Sequence, residues 1–129
     1  MPKLNDAVKK LLESAKTWVI ATQGETPNAV PILFKKVVGD DELVLFDVFM
    51  DTTIANIKKS GEAAISVYND ETLEGYQIKG DAAYTTDATL VAAGNSITSG
   101  FQLTTKGAVS LKIREVIVCT PGPDIGKSI

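Results

Sequence analysis

The chain has no histidine and a single cysteine in 129 residues. Without an imidazole it has no Ser-His-Asp triad, no Cys-His pair and no histidine-bearing zinc or non-haem iron site, so no metal ligands are assigned. With Cys119 alone an internal disulfide is impossible, and a lone thiol in an apolar strand is expected to act as a small buried hydrophobe. Basic residues are scattered, 13 against 16 acidic ones, at a formal charge of -3 and a pI near 4.9. That distribution offers no stripe to a nucleic-acid backbone. Apolar runs stop well short of the roughly 18 residues of a membrane span, so the chain is expected to be cytoplasmic with no membrane partner. It also lacks a Gly-rich dinucleotide fingerprint, an internal repeat and any low-complexity segment. The acidic groups Asp40-Asp41-Glu42 and Asp70-Glu71 lie among turn residues, where solvation explains the charge and no chemistry is assigned.

What is present is apolar patterning. At 44% hydrophobic content, 129 residues can enclose one core. A single domain over 1–129 is expected, and it would gain burial by oligomerising. Leu4, Val8, Leu11 and Leu12 have helical spacing, with Asn5 or Asp6 as the cap. Strands are expected at Trp18–Thr22, Asn28–Val38, Glu42–Asp47, Ala63–Tyr68, Leu73–Tyr84 and Ala108–Cys119, the first three as a meander. Pro31 inside the second marks an edge or a bulge, and Gly80 inside the fifth marks a bend or a close approach. A second helix runs from Thr52 to Ser60 and stops at Gly61. A third opens at Thr86 or Asp87 with Leu90, Val91 and Ile97 on its apolar side, and Gly94 either weakens it or admits tight packing. Six strands without βαβ alternation imply a mostly antiparallel sheet, and closure into a barrel would hide its edges.

The stretch Asp47-Val48-Phe49-Met50-Asp51-Thr52-Thr53-Ile54-Ala55-Asn56-Ile57 carries the most chemistry. An apolar strand runs straight into a helix start rich in hydroxyl groups. The first amides of a helix lack intrahelical acceptors and carry the positive end of its dipole, so they form an anion pocket. Thr52, Thr53 and Asn56 add side-chain donors, and Thr53 and Asn56 share a face. The simpler alternative makes Asp51, Thr52 or Thr53 an ordinary N-cap and leaves Asn56 solvated.

In this order, Trp18-Val19-Ile20-Ala21-Thr22, Asn28-Ala29-Val30-Pro31-Ile32-Leu33-Phe34, Met50-Asp51-Thr52-Thr53-Ile54-Ala55-Asn56-Ile57 and Gly75-Tyr76-Gln77-Ile78-Lys79-Gly80 resemble the small FMN-binding split-barrel proteins of the pyridoxamine 5'-phosphate oxidase-like superfamily. The resemblance extends over roughly residues 4 to 119. It implies a mainly β fold with flanking helices, a six-stranded antiparallel split β-barrel. It also implies a homodimer holding FMN at the subunit interface, with the phosphate on Thr52, Thr53 and Asn56. Val30, Pro31 and Ile32 then supply backbone contacts to the isoalloxazine, and Phe49 and Met50 lie in the ring's neighbourhood.

One position departs from the resemblance. Many relatives carry Lys or Arg where this chain has Thr52, and acidic Asp51 precedes it. A substitute cation is expected in Lys79 or in Lys127, the latter reaching the site, in its own chain or across the dimer, on an extended tail over 121–129. The implied function is electron transfer or a small flavin-dependent oxidoreductase, with an unidentified redox partner or small-molecule substrate. True pyridoxamine 5'-phosphate oxidases are longer and hold a second phosphate with basic residues that have no counterpart here. Two other classes stay open: a reductase using the deazaflavin F420 on the same fold, haem being weakened by the missing histidine, and a non-enzymatic barrel binding an apolar small molecule.

Overall fold

The structure, a computed structural model, describes residues 3–129. Asn5 starts the first helix, α1 (Asp6–Ser14), its Oδ1 accepting the Val8 amide hydrogen at 2.9 Å. The spacing of Val8, Leu11 and Leu12 puts them on one buried face. The chain then enters β1 (Trp18–Gln23), where Trp18 Nε1 donates to the Leu12 carbonyl at 2.9 Å and ties α1 to the sheet. There follow β2 (Pro27–Ile32), β3 (Lys35–Val38), β4 (Glu42–Asp47), α2 (Asp51–Ser60), β5 (Glu62–Tyr68), β6 (Gly75–Thr85), α3 (Ala88–Thr98), a 3₁₀ turn at Ser99–Phe101 and β7 (Gly107–Val118). Gly61 ends α2 in the left-handed conformation at φ 71, as its lack of a Cβ allows. Asp87 caps α3, accepting from the Thr89 and Leu90 amides.

Every pairing is antiparallel, in the order β2-β1-β5-β6-β7-β4-β3. The described residues form seven strands rather than six. The expected strand over 28–38 is two strands, and the expected meander is two hairpins at opposite edges of the sheet. The reason lies in Pro31 and in closure. A proline with no N–H sits comfortably on the edge strand β2, and the chain then crosses to the other edge through only Leu33 and Phe34. So short a link spans about 11 Å, so the sheet must curl until its two edges meet there. The result is a barrel split between β2 and β3. Lys35 clasps this seam: its ammonium donates to the carbonyls of Lys16 at 2.9 Å and Leu33 at 3.2 Å, and stands 5.4 Å from the centre of the Trp18 ring. Burial pushes its pKa below the ordinary lysine value.

The barrel interior is filled by Trp18, Ile20, Leu43, Leu45, Ile65, Ile78 and Leu111, among others. The continuous apolar run of β4 is explained by burial on both faces. Leu43 and Leu45 enter the barrel, while Val44 and Phe46 lie under Leu90 and Ala93 of α3. In α3 the inward stripe is Leu90, Gly94 and Thr98, and Ile97 is 41% exposed, contrary to its expected place on the apolar side. Gly94 decides this orientation. A Cβ there would stand 2.7 Å from Phe46 Cδ1 and from Thr105, and Thr98 finds the Thr105 hydroxyl at 3.0 Å.

Gly80 marks a β-bulge: Lys79 pairs with Glu115 and Gly80 with Ile113. Any Cβ at this position would run into the Lys112 carbonyl. Gly80→Ala is therefore expected to destabilise by about 1–3 kcal/mol through overpacking, measured as a lower urea midpoint. An unchanged midpoint would mean that the bulge relaxes freely.

Two expectations at the C-terminal end are corrected. Cys119 falls just past β7 and is exposed rather than buried. The tail is not an extended arm, because its backbone groups find partners on its own strand. The Val118 amide donates to the Lys127 carbonyl at 2.8 Å and the Ile129 amide to the Val116 carbonyl at 2.9 Å. Among the described residues no helix is long and apolar enough to cross a membrane.

Candidate functional site

The site begins with a buried carboxyl group. Asp47, the last residue of β4, is 4% exposed. Its Oδ1 accepts the Met50 amide hydrogen and its Oδ2 the Tyr84 hydroxyl hydrogen, both at 2.9 Å. Asp47 thus serves the start of α2 from three residues upstream. The expected caps, Asp51, Thr52 and Thr53, lie inside the helix, and the N-cap position is Met50, whose side chain makes no capping bond. This turn buries Val48 and Met50 and leaves Phe49 79% exposed. The first i to i−4 bond of α2 runs from the Ile54 amide to the Met50 carbonyl at 2.8 Å, so the N–H groups of Asp51, Thr52 and Thr53 have no intrahelical acceptor. Burial, followed by the hydrogen bond to Asp47, raises the pKa of Tyr84 above the usual phenol value, and the phenol stays a donor at neutral pH.

The opposite wall is β2. Strand alternation turns Asn28, Val30 and Ile32 inward. Between this wall, Phe46 and the start of α2 lies a cleft of about 470 Å³, within the roughly 300–1,000 Å³ range of small-molecule sites. Val30, Pro31, Ile32, Phe49, Met50, Thr52 and Thr53, seven of the nine site residues expected from sequence, line it together.

The other two do not. Asn56 turns toward the β1–β2 hairpin, its Nδ2 donating to Thr22 Oγ1 at 3.0 Å and its amide packing on Gly24. Lys127 sits beside Val118, at one end of the 12-residue β7, whereas Asp47 pairs with Gly107 at the other. At about 3.3 Å per residue that is roughly 35 Å along the strand, and the Lys127 ammonium is paired with Asp124 at 3.3 Å. Lys127 therefore does not reach the cleft of its own chain. Lys79, the other candidate cation, lies among Arg114 and Glu62 in a separate groove.

Two residues at the site were not singled out from sequence. Asn28 joins the walls, its Nδ2 donating to Thr53 Oγ1 at 2.9 Å and to Thr22 Oγ1 at 3.2 Å. Its signal was a polar residue at an inward position of an otherwise apolar alternation. Because Thr53 accepts that bond through a lone pair, its own hydroxyl hydrogen remains free to donate. Lys106 is the second. Its amide donates to the Asp47 carbonyl at 2.8 Å and its ammonium lies 3.5 Å from Asp51. Nothing in the local sequence of α2 announces it.

The cleft is thus apolar along β2 and β4 and rich in donors at the start of α2, a shape suited to a flat ring carrying an anionic arm. Its lining has hydroxyls, one amide and the exposed Asp51, with no thiol or lysine. Its means are binding and orientation. Among the described residues no three His, Cys, Asp or Glu side chains gather into a metal site. The rim is apolar, with Leu33 44% and Phe49 79% exposed, and Phe101, 60% exposed, standing edge-on to Phe34 at 5.3 Å.

Residues 4–119 match the family model of pyridoxamine 5'-phosphate oxidase. An uncharacterized protein from Methanocaldococcus jannaschii is 29% identical over 132 residues, covering 98% of this chain and 88% of its own length. The crystal structure of HupZ from Group A Streptococcus superposes with a TM-score of 0.83 at 20% identity, covering 95% of this chain and 99% of that one. An FMN-binding protein from Syntrophomonas wolfei superposes with a TM-score of 0.73 at 18% identity, over 85% of this chain and 82% of that one. Both structures share the fold described above.

Proposed function

The chain belongs to the pyridoxamine 5'-phosphate oxidase family, and from that premise we propose that it is a flavoprotein whose cleft binds FMN. The observation that carries this reading is the convergence of an apolar strand wall and the open amides of α2 on one cleft. Val30, Pro31 and Ile32 bind the ring system along the β2 backbone, Met50 and Phe49 flank it, and Thr52 and Thr53 face the phosphate arm. FMN, when bound, supplies the redox chemistry. The chain orients it, keeps water from its buried side through Val48, Met50 and Phe46, and leaves one side open to a redox partner.

The residue set favours an electron carrier or a small flavin-dependent oxidoreductase over a true pyridoxamine 5'-phosphate oxidase. Among the described residues Lys106 is the only cation ion-paired with a cleft-lining side chain, and the basic residues with which the true oxidases hold a second phosphate have no counterpart in the sequence. The exposed apolar rim of Leu33, Phe49 and Phe101 supports closure of the cleft by a second copy of the chain, since such patches are usually covered.

The test is a titration of the apo-protein. FMN fluorescence is expected to quench to an endpoint of one FMN per chain, and light scattering of the same sample to give twice 13.7 kDa. No quenching well into the micromolar range would overturn the reading in favour of an apolar ligand. A copurified cofactor identified by mass spectrometry as the deazaflavin F420 would replace FMN while keeping the site.

A further inference from the structure

We infer that Lys106 is the cation that receives the cofactor phosphate and that Asp51 holds it at the start of α2 until the anion arrives. The inference rests on the FMN reading above and identifies the charged residue which that reading lacks.

The first three positions of α2 are Asp51, Thr52 and Thr53, none of them cationic, and the basic residues of the helix, Lys58 and Lys59, lie in its last turn. Lys58 is moreover held 4.9 Å from the centre of the Tyr84 ring. A phosphate bound to the amides of Thr52 and Thr53 would therefore meet the like charge of Asp51 with nothing local to offset it. The offset comes from the segment leading into β7. The Lys106 amide bonds to the Asp47 carbonyl at 2.8 Å, so its backbone is pinned to the residue whose carboxyl group sets the start of α2. Its side chain is free to move from that fixed base.

Its present partner is held loosely. The Lys106–Asp51 pair is 3.5 Å long, with side chains 50% and 91% exposed, and water screens such a contact strongly. A phosphate carries more charge than a carboxylate and is fixed by the helix amides and by the free hydroxyl hydrogen of Thr53, a side chain only 2% exposed. The ammonium then exchanges Asp51 for the phosphate within the reach of its own flexible stem. Asp51 acts as a placeholder that keeps the cation at the site and weakens the anion's hold.

The experiment compares FMN with riboflavin, which has the ring but not the phosphate, by fluorescence titration of the apo-protein at low and high salt. Lys106→Gln is expected to weaken FMN by about tenfold or more while leaving riboflavin unchanged, and to flatten the salt dependence of FMN binding. Lys106→Arg keeps the charge and is expected to retain FMN binding to within a few-fold. Asp51→Asn removes the competitor and the like charge, and FMN is expected to tighten. Circular dichroism confirms that each variant is folded, and the backbone bond of residue 106 survives all of them. An intact FMN-over-riboflavin preference in Lys106→Gln would overturn the role of Lys106 and leave the FMN site standing. Failure of the unmodified protein to bind either flavin would instead remove the site itself.

Discussion

Asp47→Ala is expected to cost about 2–4 kcal/mol of stability and to weaken FMN and riboflavin together. Asp47 is 4% exposed and accepts two hydrogen bonds, from the Met50 amide and the Tyr84 hydroxyl. Alanine leaves the buried Met50 amide without an acceptor, at about 1–3 kcal/mol, and takes its partner from the half-buried Tyr84 hydroxyl, which costs less because water reaches it. The Met50 bond also shapes the turn that presents Phe49 outward and Met50 inward and sets the start of α2, so its loss loosens the wall beside the ring, which both flavins share, as well as the phosphate end. This pattern separates Asp47 from Lys106: a positioning residue moves both ligands, whereas a phosphate cation moves FMN alone. Asp47→Asn preserves the shape and one acceptor oxygen, so it should lie between wild type and alanine. Urea unfolding and paired titrations with the two flavins provide the readout. If Asp47→Ala kept full stability, its two hydrogen bonds would carry no net weight.

Trp18→Ala is expected to cost about 3–5 kcal/mol, a typical loss for a buried tryptophan, and to lower the melting temperature by on the order of 10–20 °C. Trp18 is 1% exposed, lies opposite Ile32 in the β1–β2 register, donates to the Leu12 carbonyl and stands beneath the Lys35 ammonium. It is thus the side chain on which α1, the β2 edge and the β3 edge all bear, and its removal opens the seam of the barrel. Because it is the only tryptophan, unfolding of the variant must be followed by circular dichroism rather than intrinsic tryptophan fluorescence. Trp18→Phe keeps most of the apolar volume and should recover much of the loss. A melting temperature within a few degrees of wild type for Trp18→Ala would show that the seam is held elsewhere.

The parts of the fold legible in the sequence are those governed by neighbouring residues. Asn5 capping α1, Gly61 closing α2, the apolar face of Val8, Leu11 and Leu12, and the run Glu42–Asp47 all follow from side-chain period and local backbone preference. Pro31 signalled an edge strand because a missing N–H is a local fact. Within the candidate cleft the helix start at Thr52 and Thr53 was legible for the same reason, from its hydroxyl-rich pattern after an apolar strand, whereas Val30, Pro31, Ile32, Phe49 and Met50 were named as site residues by the family resemblance and not by any local pattern.

Only the tertiary structure decided which surfaces those stretches meet. The chain crosses from one sheet edge to the other through Leu33 and Phe34 because the sheet curls, and no pattern within residues 28–38 encodes that curl. Gly94 rather than Ile97 faces inward in α3 because Phe46 and Thr105 leave room for no side chain. The tail folds back on β7, and so removes Lys127 from the cleft of its own chain, because its amides and carbonyls find partners at Val116 and Val118. Asn28 meets Thr53, and Lys106 meets Asp51, across long stretches of chain. Propensity and periodicity act between residues a few positions apart and could be read from the sequence, whereas the pairing of a distant amide or charge depends on how the barrel closes.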